Sequence, residues 1–596
     1  MQNVTKIINI LTPQERRRFG WLAVAIVVMG FLEVIGIGSI LPFIQLLAAP
    51  ELVEQNTSLS YAYHLFGFTS VRHMLIYTGL LVIVVLLFSN LFIIFTNWLK
   101  LKFSWEFAHQ ASTRLLGVYF RKPYAFYLNA NSAELSSYIV TEVHSITNGI
   151  LIPCIEIFSR SILSIAIFSL LIWVNPQIAI IMFLFLGGAY SLVYWYQRNF
   201  LAELGELRVK TNAKRYRSLI EVFDGIKTVM VYNKLGFFFN HYERASKAFN
   251  DLQPQYFITL SAPKNILEIL AFGTIVIITI ILYGRNENVE TILPTLSLYA
   301  VAGYRLLPAL QSIFSALGKV RHNLPALNKL YDYMVEGRIH GLSHIHQNTV
   351  AIPFNQKLTL QNLSFKYEGN EQPTLENVNL TISKGETIAF VGTTGSGKTT
   401  LIDLITGILQ AQSGQIVVDD TPLTTKNIKQ WQAGIAYVPQ DIFLFDHSIA
   451  SNITLELSAE NIDWPLMNAS TRLADIHDFI QTLPDGFDTG TGEKGVRLSG
   501  GQRQRIGIAR ALYTQPSILV LDEATSALDT LTEQGIVKAL NDLPEEITTI
   551  LIAHRLSTVE RADRIYLLEA GRIVAVGTFE ELSRSNEVFK QMTLAK

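Results

Sequence analysis

Between residues 20 and 317 the chain carries six apolar runs, at about 20–48, 73–99, 150–174, 176–197, 257–284 and 291–317. Each is close to or above the ~20 residues that an α-helix needs to cross the hydrocarbon core of a bilayer. A backbone in lipid must satisfy its own polar groups, so runs of this kind are read as helices. Asn175-Pro176 parts the third run from the fourth, and Gly284-Arg285-Asn286 parts the fifth from the sixth. From about residue 340 the pattern changes to alternating strand-like and helix-like stretches. Whole-chain averages blur this division. Charged residues are 16% of 596, against about 25% in typical soluble proteins, and mean hydropathy is +0.29.

Basic residues sort the loops between the runs. Arg16, Arg17, Arg18, Lys100, Lys102, Arg114, Arg121, Lys122, Arg198, Arg208, Lys210, Lys214, Arg215, Arg217, Lys319 and Arg321 fall on one side. The loops near 49–72, 175–176 and 285–290 carry few positive charges. Positive charge is retained on the cytoplasmic side, so both termini are expected in the cytoplasm, as an even number of spans requires. The apolar run after Arg18 is too long for a signal-peptide core and has no small-residue cleavage site, so it is expected to remain as an anchor. About 18 polar residues before it leave no room for an N-terminal peptidase domain. The single cysteine, Cys154, excludes an intrachain disulfide and gives no support to a zinc or iron–sulfur site. A formal net charge of −1 gives no pull toward nucleic acid, and no nucleic-acid partner is expected.

Segments 100–149 and 198–256 are long, charged and helix-compatible. The simplest arrangement continues helices two to five well into the cytoplasm, with turns near Pro123–Ser132 and Asn212–Gly225. The outer loop at about Pro50–Val71, with Tyr61, Tyr63, Leu65, Phe66 and Phe68, has the length for a short interfacial helix or for an irregular loop. Residues 1–335 are therefore expected to form the membrane domain, 336–355 a linker and 356–596 a soluble domain.

The soluble part begins its chemistry at Gly392-Thr393-Thr394-Gly395-Ser396-Gly397-Lys398-Thr399, followed by Thr400. A short apolar strand precedes this stretch and a helix follows, the context a phosphate-binding loop requires. Its glycines let backbone N–H groups turn toward phosphates ahead of a helix N-terminus. Lys398 adds a cation near the β and γ phosphates, and Thr399 offers a hydroxyl to Mg2+. Ile518-Leu519-Val520-Leu521-Asp522-Glu523 reads as a buried parallel strand ending in two carboxylates. Asp522 suits a role in holding Mg2+, and Glu523 one as general base on the attacking water.

Leu498-Ser499-Gly500-Gly501-Gln502 stands 106 positions after Gly392. In that order the two motifs resemble the nucleotide-binding domain of ATP-binding cassette (ABC) transporters. Tyr437-Val438-Pro439-Gln440, Ser526-Ala527-Leu528-Asp529, Ala553-His554-Arg555-Leu556-Ser557 and Gly490-Thr491-Gly492-Glu493-Lys494-Gly495 extend the resemblance over the cassette. Six spans followed by one cassette resemble a half-size exporter. The resemblance implies a multi-domain membrane protein: an all-α six-helix transmembrane domain plus an α/β P-loop ABC ATPase domain. It also implies roles. Gln440 senses Mg2+ and water, His554 contacts the γ-phosphate, Tyr367 stacks on adenine, and Asp529 lies in a loop crossing a dimer interface. Ser499, Gly500, Gly501 and Gln502 bind the ATP held by a second chain. ATP with Mg2+, on Thr399, Gln440 and Asp522, is the implied cofactor. The complete motif set favours a homodimer.

The charges inside the apolar runs are Glu33, Glu156, Arg160, Lys264, Glu268 and Arg305. Glu156/Arg160 and Lys264/Glu268 are four apart, so each pair can neutralise itself on one helix face. Arg305 has no partner in its own run; it either meets Glu33 or attracts an anion in a cavity. Phe31-Leu32-Glu33, Leu41-Pro42-Phe43-Ile44, Ala262-Pro263-Lys264 and Tyr304-Arg305-Leu306-Leu307-Pro308 resemble the PglK-type flippases of lipid-linked oligosaccharides. That resemblance implies Arg305 and Lys264 as contacts to a polyprenyl-pyrophosphate glycan at the bacterial inner membrane. Span two departs from the pattern: Leu80–Asn97 holds no basic residue, only the polar Ser89 and Asn90. A lipid or multidrug exporter is the alternative. A non-transport ABC ATPase conflicts with six spans, and a channel on the same frame conflicts with an intact Glu523.

Overall fold

The computed structural model describes residues 2–40, 43, 46–47, 63, 68, 70–174, 176–284, 289–340, 349–457, 459–522, 543–552, 559–560 and 562–594. The chain forms two compact units, one of residues 1–122 and 126–345, the other of 123–125 and 346–596.

In the first unit the apolar runs become long helices: α2 (Pro13–Gly38), α3 (Val71–Tyr119), α4 (Ile152–Val174), α5 (Pro176–Asp224), α6 (Leu252–Gly284) and α7 (Val289–His340). A shorter helix, α1 (Gln2–Ile10), precedes them. Among the described residues, Pro13–Gly36, Val71–Tyr119 and Ser132–Trp173 contain stretches long and apolar enough to cross a membrane. The 49 residues of α3 amount to roughly 70 Å of helix, far beyond a ~30 Å hydrocarbon core. Helix α3, like the equally long α5, is therefore much longer than one span needs.

Sequence reasoning read Met1–Arg18 as a polar lead, but α1 is an amphipathic helix whose Ile7 and Ile10 join the core. Thr12 and Glu15 exchange side-chain and backbone hydrogen bonds at the start of α2. Arg114 then reaches Glu15 across 3.0 Å, both side chains nearly buried. The expected turn in 212–225 also shifts. Helix α5 runs unbroken to Asp224, and the chain turns at Gly225 and Asn233, around a short helix Ile226–Val231. Apart from Tyr63, Phe68 and Ser70, the outer segment 50–70 lies outside the described residues, and with it the expected interfacial helix.

Two π-helical turns, Tyr138–Glu142 and Thr147–Leu151, widen the helical path leading into α4. Such turns re-aim side chains by inserting a residue into the α-helical ladder. Here Glu142 meets Arg208 of α5 at 2.8 Å, with their side chains only 2% and 10% exposed. Ser145 accepts from the same guanidinium, and Asn212 donates to the same carboxylate. Removing one partner of a buried pair costs about 3–5 kcal/mol. Nearby, α5 and α7 touch through backbone: a Cβ on Gly205 would lie 1.9 Å from the His322 carbonyl oxygen, so only glycine fits.

The His322 ring is buried beyond the predicted sixth span and stacks on Tyr256 at 4.0 Å. Burial, reinforced by the Arg208 charge, pulls its pKa down to about 4; a hydrogen bond with the Leu201 backbone opposes this. Unfolded histidine titrates near 6.5, so the neutral folded ring contributes its full stability above about pH 6.5. That contribution is lost as pH falls toward 4, up to about 3 kcal/mol. His322→Gln should flatten the fall in Tm of the detergent-solubilised protein between pH 6.5 and 4. An unchanged acid slope would remove His322 from that transition.

The second unit holds β1 (Lys357–Phe365), β2 (Leu375–Ser383), β3 (Thr387–Gly392), α8 (Lys398–Ile405), β4 (Ser413–Val418), β5 (Thr421–Pro422), β6 (Ile435–Val438), α9 (Gly500–Tyr513), β7 (Ile518–Asp522), β8 (Thr548–Ile552), β9 (Arg564–Glu569) and β10 (Arg572–Gly577). One sheet, β2-β1-β4-β5, is antiparallel. The other runs β10-β9-β3-β8-β7-β6, parallel except for β10 at its edge. Alternation along its strands builds two cores. Ile388, Phe390, Ile518, Val520, Ile550 and Ile552 pack on one face. Ala389, Val391, Leu519, Leu521 and Leu551 pack on the other. A sheet covered on both faces explains why β7 and β8 are continuous apolar runs rather than alternating ones.

Candidate functional site

The C-terminal ends of β3 and β7 lie one strand apart, separated by β8. This places the phosphate-loop sequence and Asp522 at the same edge of the sheet, where ligands of open α/β sheets gather. The loop leaves β3 at Gly392 and enters α8 at Lys398. Gly397 caps α8 with φ +101°, and a Cβ there would meet Leu375 Cδ2 at 2.7 Å, so the position demands glycine. Lys398 is buried, and its ammonium donates to the carbonyls of Gly392 and Thr393 at 2.8 and 3.0 Å. The cation therefore sits inside the curl of the loop, with the N-terminus of α8 behind it.

Asp522 is 7% exposed, and the Tyr437 hydroxyl donates to its Oδ2 at 3.0 Å. The bond joins the adjacent strands β6 and β7, where Tyr437 pairs in register with Val520. Burial raises the Tyr437 pKa further above its ordinary value, with the Asp522 charge acting in the same direction. On α8, burial and then the Asp522 charge push the Asp403 carboxyl up to about 6. Asp522, beside the phosphate loop, is a hard-oxygen donor of the kind Mg2+ prefers. Gln440 follows β6 on an exposed bend. The Tyr367 hydroxyl lies 3.1 Å from Thr400 Oγ1 on α8, and its ring meets Phe365 edge-on.

Ser499 caps α9. Its Oγ accepts from the Gln502 N–H at 3.3 Å, while Gln502 Oε1 accepts from the Ser499 N–H at 2.8 Å. This reciprocal box fixes the helix start and presents the first-turn amides of Gly500 and Gly501 outward. Gly500 is exposed, and a Cβ there would touch nothing within 4 Å.

The structure thus joins Tyr367 to the phosphate-loop helix at Thr400, sets Asp522 at the same edge of the sheet as Gly392, follows β6 with Gln440, and orders Ser499–Gln502 as a helix cap. Glu523, Asp529 and His554 lie outside the described residues. Tyr437 and Asp403 escaped sequence reasoning. Tyr437 stands three residues before Gln440 and was read only as part of its motif; its partner is 85 positions away.

In the membrane unit, Arg305 Nη1 meets Glu33 Oε1 at 3.2 Å, with side-chain exposures of 33% and 6%. Of the two readings left open by sequence, the ion pair is the one formed. Lys264 is exposed on α6, beside Pro263 within the same helix. Among the described residues, neither Glu156/Arg160 nor Lys264/Glu268 closes to ion-pair distance. Helical spacing permits such pairs without compelling them, so the expected self-neutralisation is not realised.

A helical membrane unit joined to a two-sheet P-loop cassette defines an ATP-dependent membrane transporter. The chain belongs to the ABC transporters. Residues 375–526 match the ABC transporter ATPase family and residues 6–301 the ABC transporter transmembrane region. It is 30% identical to an ATP-dependent lipid A-core flippase of Burkholderia orbicola over 471 residues, 78% of each chain. A protein of the same name from Alkalilimnicola ehrlichii is 36% identical over 387 residues, 64% of each chain. The fold matches a bacterial Atm1-family ABC exporter with ATP bound, with TM-score 0.78 and 23% identity. The match covers 97% of this chain and 98% of the other.

Proposed function

We propose that two copies of this chain form an ATP-driven flippase that carries a lipid-linked oligosaccharide, a polyprenyl-pyrophosphate glycan, across the bacterial inner membrane. Both termini and the ATPase unit lie in the cytoplasm. The observation that carries the cargo reading is the Arg305–Glu33 pair, a charge couple retained between helices α7 and α2 of the membrane unit. Charges within membrane spans are costly and serve pairing or transport. A guanidinium held on one side by Glu33 and one-third exposed can still offer N–H donors to a phosphate. Relatives named as lipid A-core flippases favour a lipid cargo.

In each ATP site, backbone amides of Gly392–Lys398 and the Lys398 ammonium hold the phosphates, and Tyr367 takes the adenine. Asp522, Thr399 and Gln440 would hold Mg2+, which supplies charge neutralisation at the β and γ phosphates when bound. Tyr437 orients Asp522. Glu523 removes the proton from water, and His554 contacts the γ-phosphate. Ser499, Gly500 and Gly501 complete the site of the second copy, with Asp529 at the crossing loop. Gly500 favours this trans role: a Cβ there would touch nothing within 4 Å, so its own chain has no steric need for glycine. ATP binding closes the cassettes and opens the cavity outward; hydrolysis resets it.

The test is ATP-dependent flipping in liposomes with a panel of polyprenyl-pyrophosphate glycans. Arg305→Ala should slow flipping about tenfold, the worth of one charge-assisted contact, while Lys247→Ala on the exposed face of helix Leu235–Asn250 should not. Unaltered flipping by Arg305→Ala would end the cavity assignment. Drug-stimulated ATPase without glycan flipping would favour the multidrug alternative.

A further inference from the structure

A cleft of about 400 Å3 lies between the start of α2 and the midsection of α3, lined by Arg18, Trp21, Leu22, Leu99, Lys102, Phe103 and Glu106. Its depth follows from the sequence: the first apolar run begins near residue 20 and the second ends near 99, so the cleft straddles a membrane–water boundary. Trp21, Trp98 and Trp105 stand exposed at that level, 71%, 53% and 46%. Exposed tryptophans at a span end mark the headgroup layer. The Lys102 ammonium lies 5.0 Å from the Trp98 ring centroid, and among the described residues no carboxylate reaches ion-pair distance of it. Arg18 bonds Glu106 at the rim yet remains 55% exposed. The rim thus carries two cations, Arg18 and Lys102, against the one carboxylate of Glu106, above an apolar floor of Leu22 and Phe103.

We infer that this cleft binds the phosphate headgroup of an anionic phospholipid from the leaflet facing the ATPase unit, with the first acyl carbons on Trp21, Leu99 and Phe103. A net positive rim attracts an anionic lipid over a zwitterionic one. The apolar floor separates such a lipid from a free phosphate ion, which gains nothing there. The inference rests on the orientation proposed above, with this end of the spans cytoplasmic, and not on the cargo. The lipid is a resident ligand of the α2–α3 surface.

The experiment uses the full chain in vesicles of phosphatidylcholine containing photoactivatable phosphatidylglycerol or photoactivatable phosphatidylcholine, followed by peptide mapping. Phosphatidylglycerol should label peptides spanning 17–22 and 98–106 about fivefold more than phosphatidylcholine does. The double variant Arg18→Glu/Lys102→Glu should remove that preference, and Lys102→Arg should keep it. Equal labelling by the two lipids would reduce the cleft to ordinary lipid contact and overturn the inference. So would competition by millimolar inorganic phosphate, which would make it a simple anion site. Crosslinking of Trp21→Cys to a second copy, without lipid labelling, would make the face a protein contact instead. The comparison of lipids on the unaltered protein decides the matter even if the double variant fails to fold. Loss of glycan flipping would leave this result untouched.

Discussion

Glu523→Gln should bind ATP with near-native affinity and hydrolyse it at least about 100-fold more slowly, the usual worth of a general base. Strand β7 ends at Asp522, which accepts from the Tyr437 hydroxyl at the phosphate edge of the sheet. Glutamine keeps the length of glutamate and its capacity to hydrogen-bond water. It cannot take the proton that leaves water as the new P–O bond forms. Phosphate release should collapse, while nucleotide retained on the protein should approach two ATP per pair of chains. Because hydrolysis resets the cycle in the proposed mechanism, flipping should stop with it. Normal turnover in this variant would show that another group is the base.

Mixing two inactive variants should restore activity. Lys398→Ala removes the buried cation of the phosphate loop. Gly500→Asp places a carboxylate on the first turn of α9, where it meets nothing in its own chain. An acidic residue there favours the helix through its dipole, so the variant should fold, yet it repels the phosphate of a facing nucleotide. Each variant alone should lose ATPase activity about 100-fold or more. Co-expressed, half of the dimers should pair one of each and hold one complete site. ATPase activity should then return to roughly a quarter of the unaltered level for a two-fold dimer with independent sites. Normal activity of Gly500→Asp alone would place the whole ATP site within one chain and sink the two-chain reading.

The cassette was legible because its chemistry is local in sequence. A phosphate loop needs several glycines within a few positions, and Ser499 caps its helix with Gln502 only three positions on. Apolar run length likewise disclosed the helices, since the bilayer imposes one scale on all of them. What escaped depends on pairings between distant segments. Tyr437 and Asp522 meet only because β6 and β7 are neighbours in a parallel sheet. Glu142 reaches Arg208 through π-helical turns that no 3.6-residue pattern reveals. Helix α1 was missed because it is only nine residues long and rich in polar residues; its signal was the helical spacing of Val4, Ile7, Ile8 and Leu11.

The Arg305–Glu33 pair has a consequence for biosynthesis. The two residues are 272 positions apart. A ribosome adding about 5–20 residues per second makes Glu33 roughly 15–55 seconds before Arg305 exists. During that interval the first span must keep its carboxylate near the headgroups, since an unpaired charge at mid-membrane costs roughly 3 kcal/mol or more. The arrival of Arg305 with the last helix allows the first to settle at full depth. The membrane unit is thus completed from its two ends together, and a chain truncated before residue 305 leaves its opening helix poorly anchored.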